Sequence, residues 1–355
     1  MTDLLELTAR LVDIASESHQ EQAITDWIEH ELRNGAPWLA LDRIGNNLVA
    51  RTELGRSMRL VLAGHTDTVP INDNMPSRVE GDVLWGCGSA DMKSGLAVML
   101  RLACTVQSPA VDVTYVFYES EEVAAEHNGL KRLFAERPEL LVGDVALLGE
   151  PTNGEIEAGC QGIVRVWVTL KGARAHTARP WMGRNAIHRA AAVLNIVNAW
   201  PGREPEVDGC RYRESLQVVR IEGGVAGNVV PDRTRLLVAY RFAPDRRAAD
   251  AFDWLRSLLG PALEADDEIE PDDISESAQP GLSHPLLAAL VARHGLGVTA
   301  KLGWTDVARF AEHGVPATNF GPGDATLAHT KDERVERAPI ERTYAALRDL
   351  LERGA

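Results

Sequence analysis

Arg59-Leu60-Val61-Leu62-Ala63-Gly64-His65-Thr66-Asp67 is the stretch on which the fold turns. Its unbroken apolar run, Leu60–Ala63, stands between an arginine and a glycine and reads as a strand covered on both faces. The run delivers His65 and Asp67, two metal-ligating residue types, at its carboxyl end. The arrangement recurs further along: Val111–Tyr118 leads into Glu119-Ser120-Glu121-Glu122, and Asp144–Leu148 leads into Gly149-Glu150. Asn47–Ala50 reads as one more strand, and Met92–Thr105, rich in Leu, Ala and Met, as a helix. Ahead of these, Leu4, Leu7, Leu11 and Ile14 repeat at helical spacing, as do Ala23, Ile24, Trp27, Ile28 and Leu32. Strands alternating with helices predict an α/β fold with a mostly parallel, helix-covered sheet. The carboxyl edge of such a sheet is where ligands bind.

The pattern changes near residue 162. Ile163–Leu170, IVRVWVTL, alternates almost strictly between apolar and other residues. A helix is expected at Asn185–Ala199, strands at Ser215–Glu222 and Thr234–Phe242, and a helix at Asp245–Leu259. This order predicts a small α+β insert with an antiparallel sheet. The acidic stretch Glu264–Glu276 reads as a solvated loop or an edge strand. From His284 a helix–strand–helix pattern resumes and ends in Pro339–Glu352. Residues 1–161 and 282–355 should therefore form one domain, interrupted by an inserted domain at 162–281.

Composition narrows the function. The 355 residues are 45% hydrophobic and 25% charged, which fits a folded chain and excludes a disordered or fibrous one. Lys plus Arg total 37 against 52 Asp plus Glu, a net charge of −15. A chain this acidic is a poor nucleic-acid binder, so no nucleic-acid partner is expected. Cys87, Cys104, Cys160 and Cys210 are widely spaced with no CxxC, as for reduced thiols. Asp3 and Glu6 stand where a secretion signal is basic. No apolar run approaches the ~20 residues of a membrane span. A cytoplasmic protein with no membrane partner is expected.

Two further segments carry chemistry. Trp85–Gly95, WGCGSADMKSG, is a glycine-rich loop in which Asp91 opens a helix, and His329 follows the Gly321-Pro322-Gly323 turn. Each piece has an ordinary reading alone: an HxD on the surface, Asp91 as a helix N-cap, Glu121 and Glu122 as solvated charge, Glu150 as a loop acid. Together, two histidines and several carboxylates gathered at strand ends suit a pair of metal ions. Zinc takes histidine nitrogen and carboxylate oxygen, and two-metal sites need a bridging group between ions ~3.5–4 Å apart. The Gly86–Gly88 pair is not a nucleotide-binding turn, since the third spaced glycine is missing and no strand runs directly into it.

HTDTVP (65–70), GSADMKSG (88–95), SEE (120–122), GEPT (149–152) and AHT (328–330) match, in order, the co-catalytic zinc metallopeptidase family that includes carboxypeptidase G, aminoacylase and acetylornithine deacetylase. The resemblance runs nearly end to end. NGL (128–130), LGEPTNGEIEAGCQG, AHTARPWMGRNAIH and GWTDVARF are most similar to its succinyl-diaminopimelate desuccinylases, in their actinobacterial form. The resemblance implies a zinc-peptidase-like mixed sheet with an inserted, ferredoxin-like α+β dimerisation domain. It implies two zinc ions per subunit, replaceable by cobalt or manganese. His65 would bind one ion and His329 the other, with Asp91 bridging and Glu122 and Glu150 each completing one set. Asp67 would orient His65 through its other ring nitrogen, and Glu121 would be the general base. The Asp91–Met92 peptide bond would be cis. His176 would serve the partner's site in a homodimer formed through the insert, donating to the oxyanion. Arg179, Asn228, Arg241 and Thr305 would contact substrate.

The implied reaction is hydrolysis of N-succinyl-L,L-2,6-diaminopimelate to succinate and L,L-diaminopimelate. The alternative is another N-acyl-amino-acid deacylase, of the aminoacylase or acetylornithine deacetylase kind. It stays open because Leu302-Gly303-Trp304-Thr305-Asp306 stands where many desuccinylases carry Gly-Gly-Thr-Ser-Asp. The charge pattern adds a separate clue. Ala158–Arg203 contains no Asp or Glu but carries Arg165, Lys171, Arg174, Arg179, Arg184, Arg189 and Arg203. It reads as a funnel for a small-molecule substrate with several carboxylates.

Overall fold

Leu60, Val61, Leu62 and Ala63 are all fully buried, as an apolar run covered on both faces requires. In the computed structural model, which describes residues 3–355, the strand Arg59–His65 lies inside an eight-stranded sheet. The strand order is Ala40–Ile44, Asn47–Arg51, Asp112–Tyr118, Arg59–His65, Val145–Leu148, Ala317–Asn319, Ile156–Ala158, Val298–Ala300. The middle four, Asp112–Tyr118 to Ala317–Asn319, run parallel. Asn47–Arg51 and Ala40–Ile44 are antiparallel additions on one flank, and Ile156–Ala158 pairs antiparallel on the other. The parallel strands therefore end at one edge. There the chain turns into His65-Thr66-Asp67, Glu119–Glu122, Gly149-Glu150 and the loop after Asn319.

The helix Ser94–Thr105 is the centre of the apolar packing, with Leu96, Val98, Met99, Leu100 and Leu102 buried. It packs against Leu4–Val12, Gln22–Gly35 and Arg337–Arg353. Burying a side chain of this size contributes roughly 1.5–3 kcal/mol. Two glycines let the loops at the sheet edge meet. A Cβ on Gly95 would lie 2.3 Å from the carbonyl oxygen of Gly149, and one on Gly323 would lie 2.2 Å from that of Ala90. Any larger residue would push apart the segments carrying Asp91, Glu150 and His329.

This sheet belongs to a unit made of residues 3–159, Pro280–Ala300 and Thr305–Ala355; Cys160–Gln279 and Lys301–Trp304 form a second unit. The second has its own antiparallel sheet, ordered Ser215–Gly223, Arg233–Phe242, Gly162–Lys171, Glu268–Ser275. Val164, Val166, Val168 and Leu170 point to one face, where Leu236, Val238, Tyr240 and Phe242 join them. The helices Ala186–Ala199 and Ala248–Leu259 pack on that face through Ala190, Val193, Leu255 and Leu259.

The acidic stretch is an edge strand rather than a free loop, and it revises the reading of the basic one. Arg165 pairs with Asp272, Lys171 with Glu268, Arg184 with Glu264 and Arg189 with Asp267. Arg174 pairs with Asp232, and Arg203 with Glu214 and Asp245. The positive field expected from the sequence is thus largely neutralised within its own unit; among the described residues, Arg179 is the one of the seven without such an ion pair. Opposite charges far apart in sequence met across the sheet, which a local count cannot register.

Candidate metal centre

His65 closes its strand with its ring held at both nitrogens. Nδ1 lies 3.0 Å from the main-chain carbonyl of Asp67, which can only accept, so Nδ1 carries a proton and Nε2 is the nitrogen that would face a bound cation. Nε2 faces Asp91 Oδ1 at 3.2 Å. Asp67 contacts His65 mainly through its carbonyl; its carboxylate Oδ1 is 3.5 Å from Nδ1. That carboxylate accepts the backbone N–H groups of Glu121 and Glu122 at 3.0 and 3.1 Å and the Ser18 hydroxyl at 2.7 Å. It therefore fixes the two glutamates as well as the histidine. Burial raises the Asp67 carboxyl, but His65 and these donors outweigh it and hold it near 2.

Asp91 is not the helix cap that its position suggested. Lys93 begins the helix with no side-chain cap, while Asp91 sits in non-helical backbone, φ −121° and ψ 97°. The Asp91–Met92 bond is cis, as the resemblance implied. The two carboxylate oxygens of Asp91 divide between the histidines: Oδ1 faces His65, and Oδ2 lies 3.7 Å from His329 Nε2. His329 Nε2 is also 2.8 Å from Glu122 Oε1. Two three-donor sets result, His65–Asp91–Glu150 and Asp91–Glu122–His329, with the ligating atoms of each within 4.8 Å of one another. Glu121 meets His65 and Glu122 in a third grouping at the same limit.

Backbone conformation points these groups inward. His329 and Ser120 both have positive φ, 63° and 59°. Such a conformation costs a non-glycine residue of order 1–3 kcal/mol and persists where the surroundings enforce it. At Ser120 they do: its N–H and its hydroxyl both donate to Glu21 Oε1 at 3.1 Å.

The electrostatics are those of a site built around positive charge. Burial lowers the affinity of His65 for a proton, but Asp67, Asp91 and Glu150 outweigh it and the ring is driven well above its ordinary range. His329 rises to about 8 through its bond to Glu122. Burial also pushes the Glu121 carboxyl well up; His65 opposes this, and the charges of Asp306, Glu150 and Glu122 reinforce it. Protons are attracted wherever a divalent cation would be. The donors fit such ions: imidazole nitrogens and carboxylate oxygens, with one carboxylate shared.

The remaining predicted residues are placed as follows. Thr305 is buried and donates its hydroxyl to Asn319 Oδ1 at 2.9 Å. His176, Arg179, Asn228 and Arg241 lie in the second unit. His176 is exposed, and its Nδ1 accepts the Ala178 N–H at 3.0 Å, which leaves Nε2 to carry the proton. Thr177 N–H donates to the carbonyl of Asn228 at 3.1 Å. Arg241 is half-buried, and its Nη1 is buried without a protein acceptor. Sequence reasoning passed over Glu21, Asp306 and Glu333, three buried acids hydrogen-bonded to segments around the site. Asp306 accepts from Asn128 Nδ2 at 2.8 Å and Arg309 Nε at 2.6 Å. Glu333 lies in Lys331-Asp332-Glu333-Arg334, which reads as solvated charge. Its one signal was its place four residues after His329.

Two donor sets sharing a carboxylate at the edge of a helix-covered sheet define the class of two-metal hydrolases. Residues 61–353 match peptidase family M20/M25/M40, and the chain belongs to that family. A Mycobacterium tuberculosis protein assigned as succinyl-diaminopimelate desuccinylase is 52% identical over 351 residues, covering 99% of this chain and 97% of its own length. The succinyl-diaminopimelate desuccinylase of Corynebacterium glutamicum is 46% identical, with 98% and 96% covered. Among solved structures, a Staphylococcus aureus tripeptidase shares the fold at a TM-score of 0.80 and 19% identity, over 98% of this chain and 97% of that one.

Proposed function

We propose that the protein is a two-metal amidohydrolase that cleaves N-succinyl-L,L-2,6-diaminopimelate to succinate and L,L-diaminopimelate. The observation that carries the metal reading is the split of the Asp91 carboxylate between His65 and His329. Identity of 46–52% to desuccinylases over nearly the whole chain supports the substrate. His65, Asp91 and Glu150 would hold one ion, and Asp91, Glu122 and His329 the other; zinc suits these donors, and cobalt or manganese could replace it. When bound, such a pair lowers the pKa of water to about 7 and polarises a carbonyl.

The chain's own groups do the rest. The raised carboxyl of Glu121 takes a proton from the attacking water and hands it to the leaving amine nitrogen. His176 is assigned to the carbonyl oxygen as negative charge develops, because its proton lies on the free Nε2. Thr305 and Asn228 are assigned to the substrate's acyl and backbone groups.

His176 would act in a homodimer, on the partner's centre. The edge strand Ser215–Gly223 exposes Val219 and Ile221, and the helix Ala186–Ala199 exposes Ile187 and Leu194. An uncovered strand edge with apolar neighbours is a surface that a second copy can pair with. No helix among the described residues is long and apolar enough to cross a membrane. The four free cysteines fit a reducing compartment such as the cytoplasm, and a net charge of −15 disfavours a nucleic-acid partner.

The test is direct. Purified protein should release succinate from N-succinyl-L,L-diaminopimelate, lose that activity to a chelator, and regain it with zinc. Faster hydrolysis of N-acetylornithine or an N-acetyl amino acid would transfer the assignment to the deacylases. Arg179 and Arg241 should discriminate between these substrates. The Arg241 guanidinium has a buried nitrogen without an acceptor, and burial lowers its pKa, as for a cation awaiting an anion. A charged hydrogen bond contributes ~1.5–3 kcal/mol. Arg241→Ala should therefore cost about 10–100-fold in kcat/KM for the succinylated substrate and clearly less for an acetylated one. The same comparison on Arg179→Ala tests Arg179; equal losses on both substrates would remove the substituted arginine from recognition of the succinyl carboxylate.

A further inference from the structure

Glu333 belongs to neither donor set, yet it touches the loop that carries the shared carboxylate at several points. The residue is 2% exposed. Its Oε2 accepts the N–H of Gly88 at 3.0 Å, and its Oε1 accepts those of Ala90 and Asp91 at 2.9 and 3.1 Å. Its main-chain carbonyl accepts the N–H of Gly86 at 3.0 Å. One residue thus receives four N–H groups from Gly86–Asp91. The next three residues, Arg334–Glu336, pair with the strand Val83–Trp85 that leads into the loop.

The loop needs this acceptor. Gly88 has φ +79°, and Asp91 and Met92 are non-helical, so no regular ladder satisfies these N–H groups. Buried N–H groups are nearly always paired, and leaving one unpaired costs about 1–3 kcal/mol. Here the partner is also tied to the second histidine. Glu333 N–H donates to the carbonyl of Thr330, adjacent to His329, at 3.3 Å. The loop of Asp91 and the segment of His329 therefore meet on one residue, through its carboxylate and its main chain.

We propose that Glu333 is a positioning residue of the metal centre. By gathering the N–H groups of Gly88, Ala90 and Asp91 on one carboxylate, it aims the two oxygens of Asp91 and holds them in register with His329. The inference rests on the two-metal reading above. Groups that orient a ligand without binding the ion typically change metal affinity by 10–100-fold. A buried carboxylate that merely closes a loop would change stability and leave affinity alone, so affinity is the quantity to read.

The experiment is a zinc titration of the metal-free full chain against a competing chelator, on the unaltered protein, Glu333→Gln, Glu333→Ala and Leu290→Ala. Leu290 is buried in the helix Pro285–His294, outside the centre, and its truncation supplies destabilisation alone. Glu333→Gln keeps the volume, but its amide nitrogen is a donor where the carboxylate had an acceptor. The unaltered protein should take up two zinc ions. Glu333→Gln should bind at least one of them about 10–100-fold more weakly, with kcat lowered and KM nearly unchanged. Leu290→Ala should retain both affinities at a similar loss in Tm. If Glu333→Ala does not fold, Glu333→Gln decides. Unchanged affinities in Glu333→Gln, or an equal loss in Leu290→Ala, would overturn the positioning role while leaving the two-metal reading intact. Fewer than two ions on the unaltered protein would instead remove the reading on which the role rests.

Discussion

Glu121→Gln should abolish turnover, by about 10²–10⁴-fold or more, while the chain still binds two metal ions. Glutamine has the same shape and retains a carbonyl oxygen, but it cannot take a proton from water and return it to an amine. The carboxyl of Glu121 lies against His65, Glu150, Glu122 and Asp306, where burial and like charge favour holding a proton. A carboxylate in this place can take a proton from the attacking water and pass it on. The measurement pairs succinate release with metal content. Loss of one ion in Glu121→Gln would show that Glu121 is a ligand and would exchange its role with that of Glu122. His65→Ala and His329→Ala are the contrast, and both should lower metal content along with activity.

Much of this centre was legible because its chemistry sits at strand ends. The run from Leu60 to Ala63 announced a buried strand, and the residue types after it, repeated after Tyr118 and Leu148, announced ligands at one edge. What was not legible depended on contacts between distant segments. Ala317–Asn319, Ile156–Ala158 and Val298–Ala300 are three residues each, too short for alternation to mark them, and they form only because the sheet offers neighbours. Met92–Thr105 was expected as one helix, but helical geometry begins at Ser94, because Asp91 and Met92 adopt another backbone to reach the histidines. Asp67 was assigned to His65 from the family resemblance. That its carboxylate holds Glu121 and Glu122 required knowing which strands are neighbours. The basic run from Arg165 to Arg203 misled in the same way, since the acids that neutralise it are mostly Glu264–Asp272, far along the chain but brought alongside when Glu268–Ser275 pairs with Gly162–Lys171.

The homodimer and the role of His176 can be tested together by complementation. His176→Ala alone should lower kcat by about 10²–10³-fold, the usual cost of removing one donor to a developing oxyanion. Its metal content should stay at two ions, because His65 and His329 supply the ligating nitrogens. Glu121→Gln alone should be inactive for the reason above. If each His176 serves the partner's centre, mixing the two variants and allowing subunit exchange should restore activity. In a mixed dimer the His176→Ala subunit keeps its own Glu121 and receives an intact His176 from its partner. The other centre lacks both groups. At full exchange of equal amounts half of the dimers are mixed, so one centre in four is complete and about a quarter of the unaltered activity should return. No recovery after exchange has been demonstrated by a tagged subunit would place His176 in its own subunit's chemistry or in none. Recovery requires the donor to cross between chains, because neither variant contains both groups.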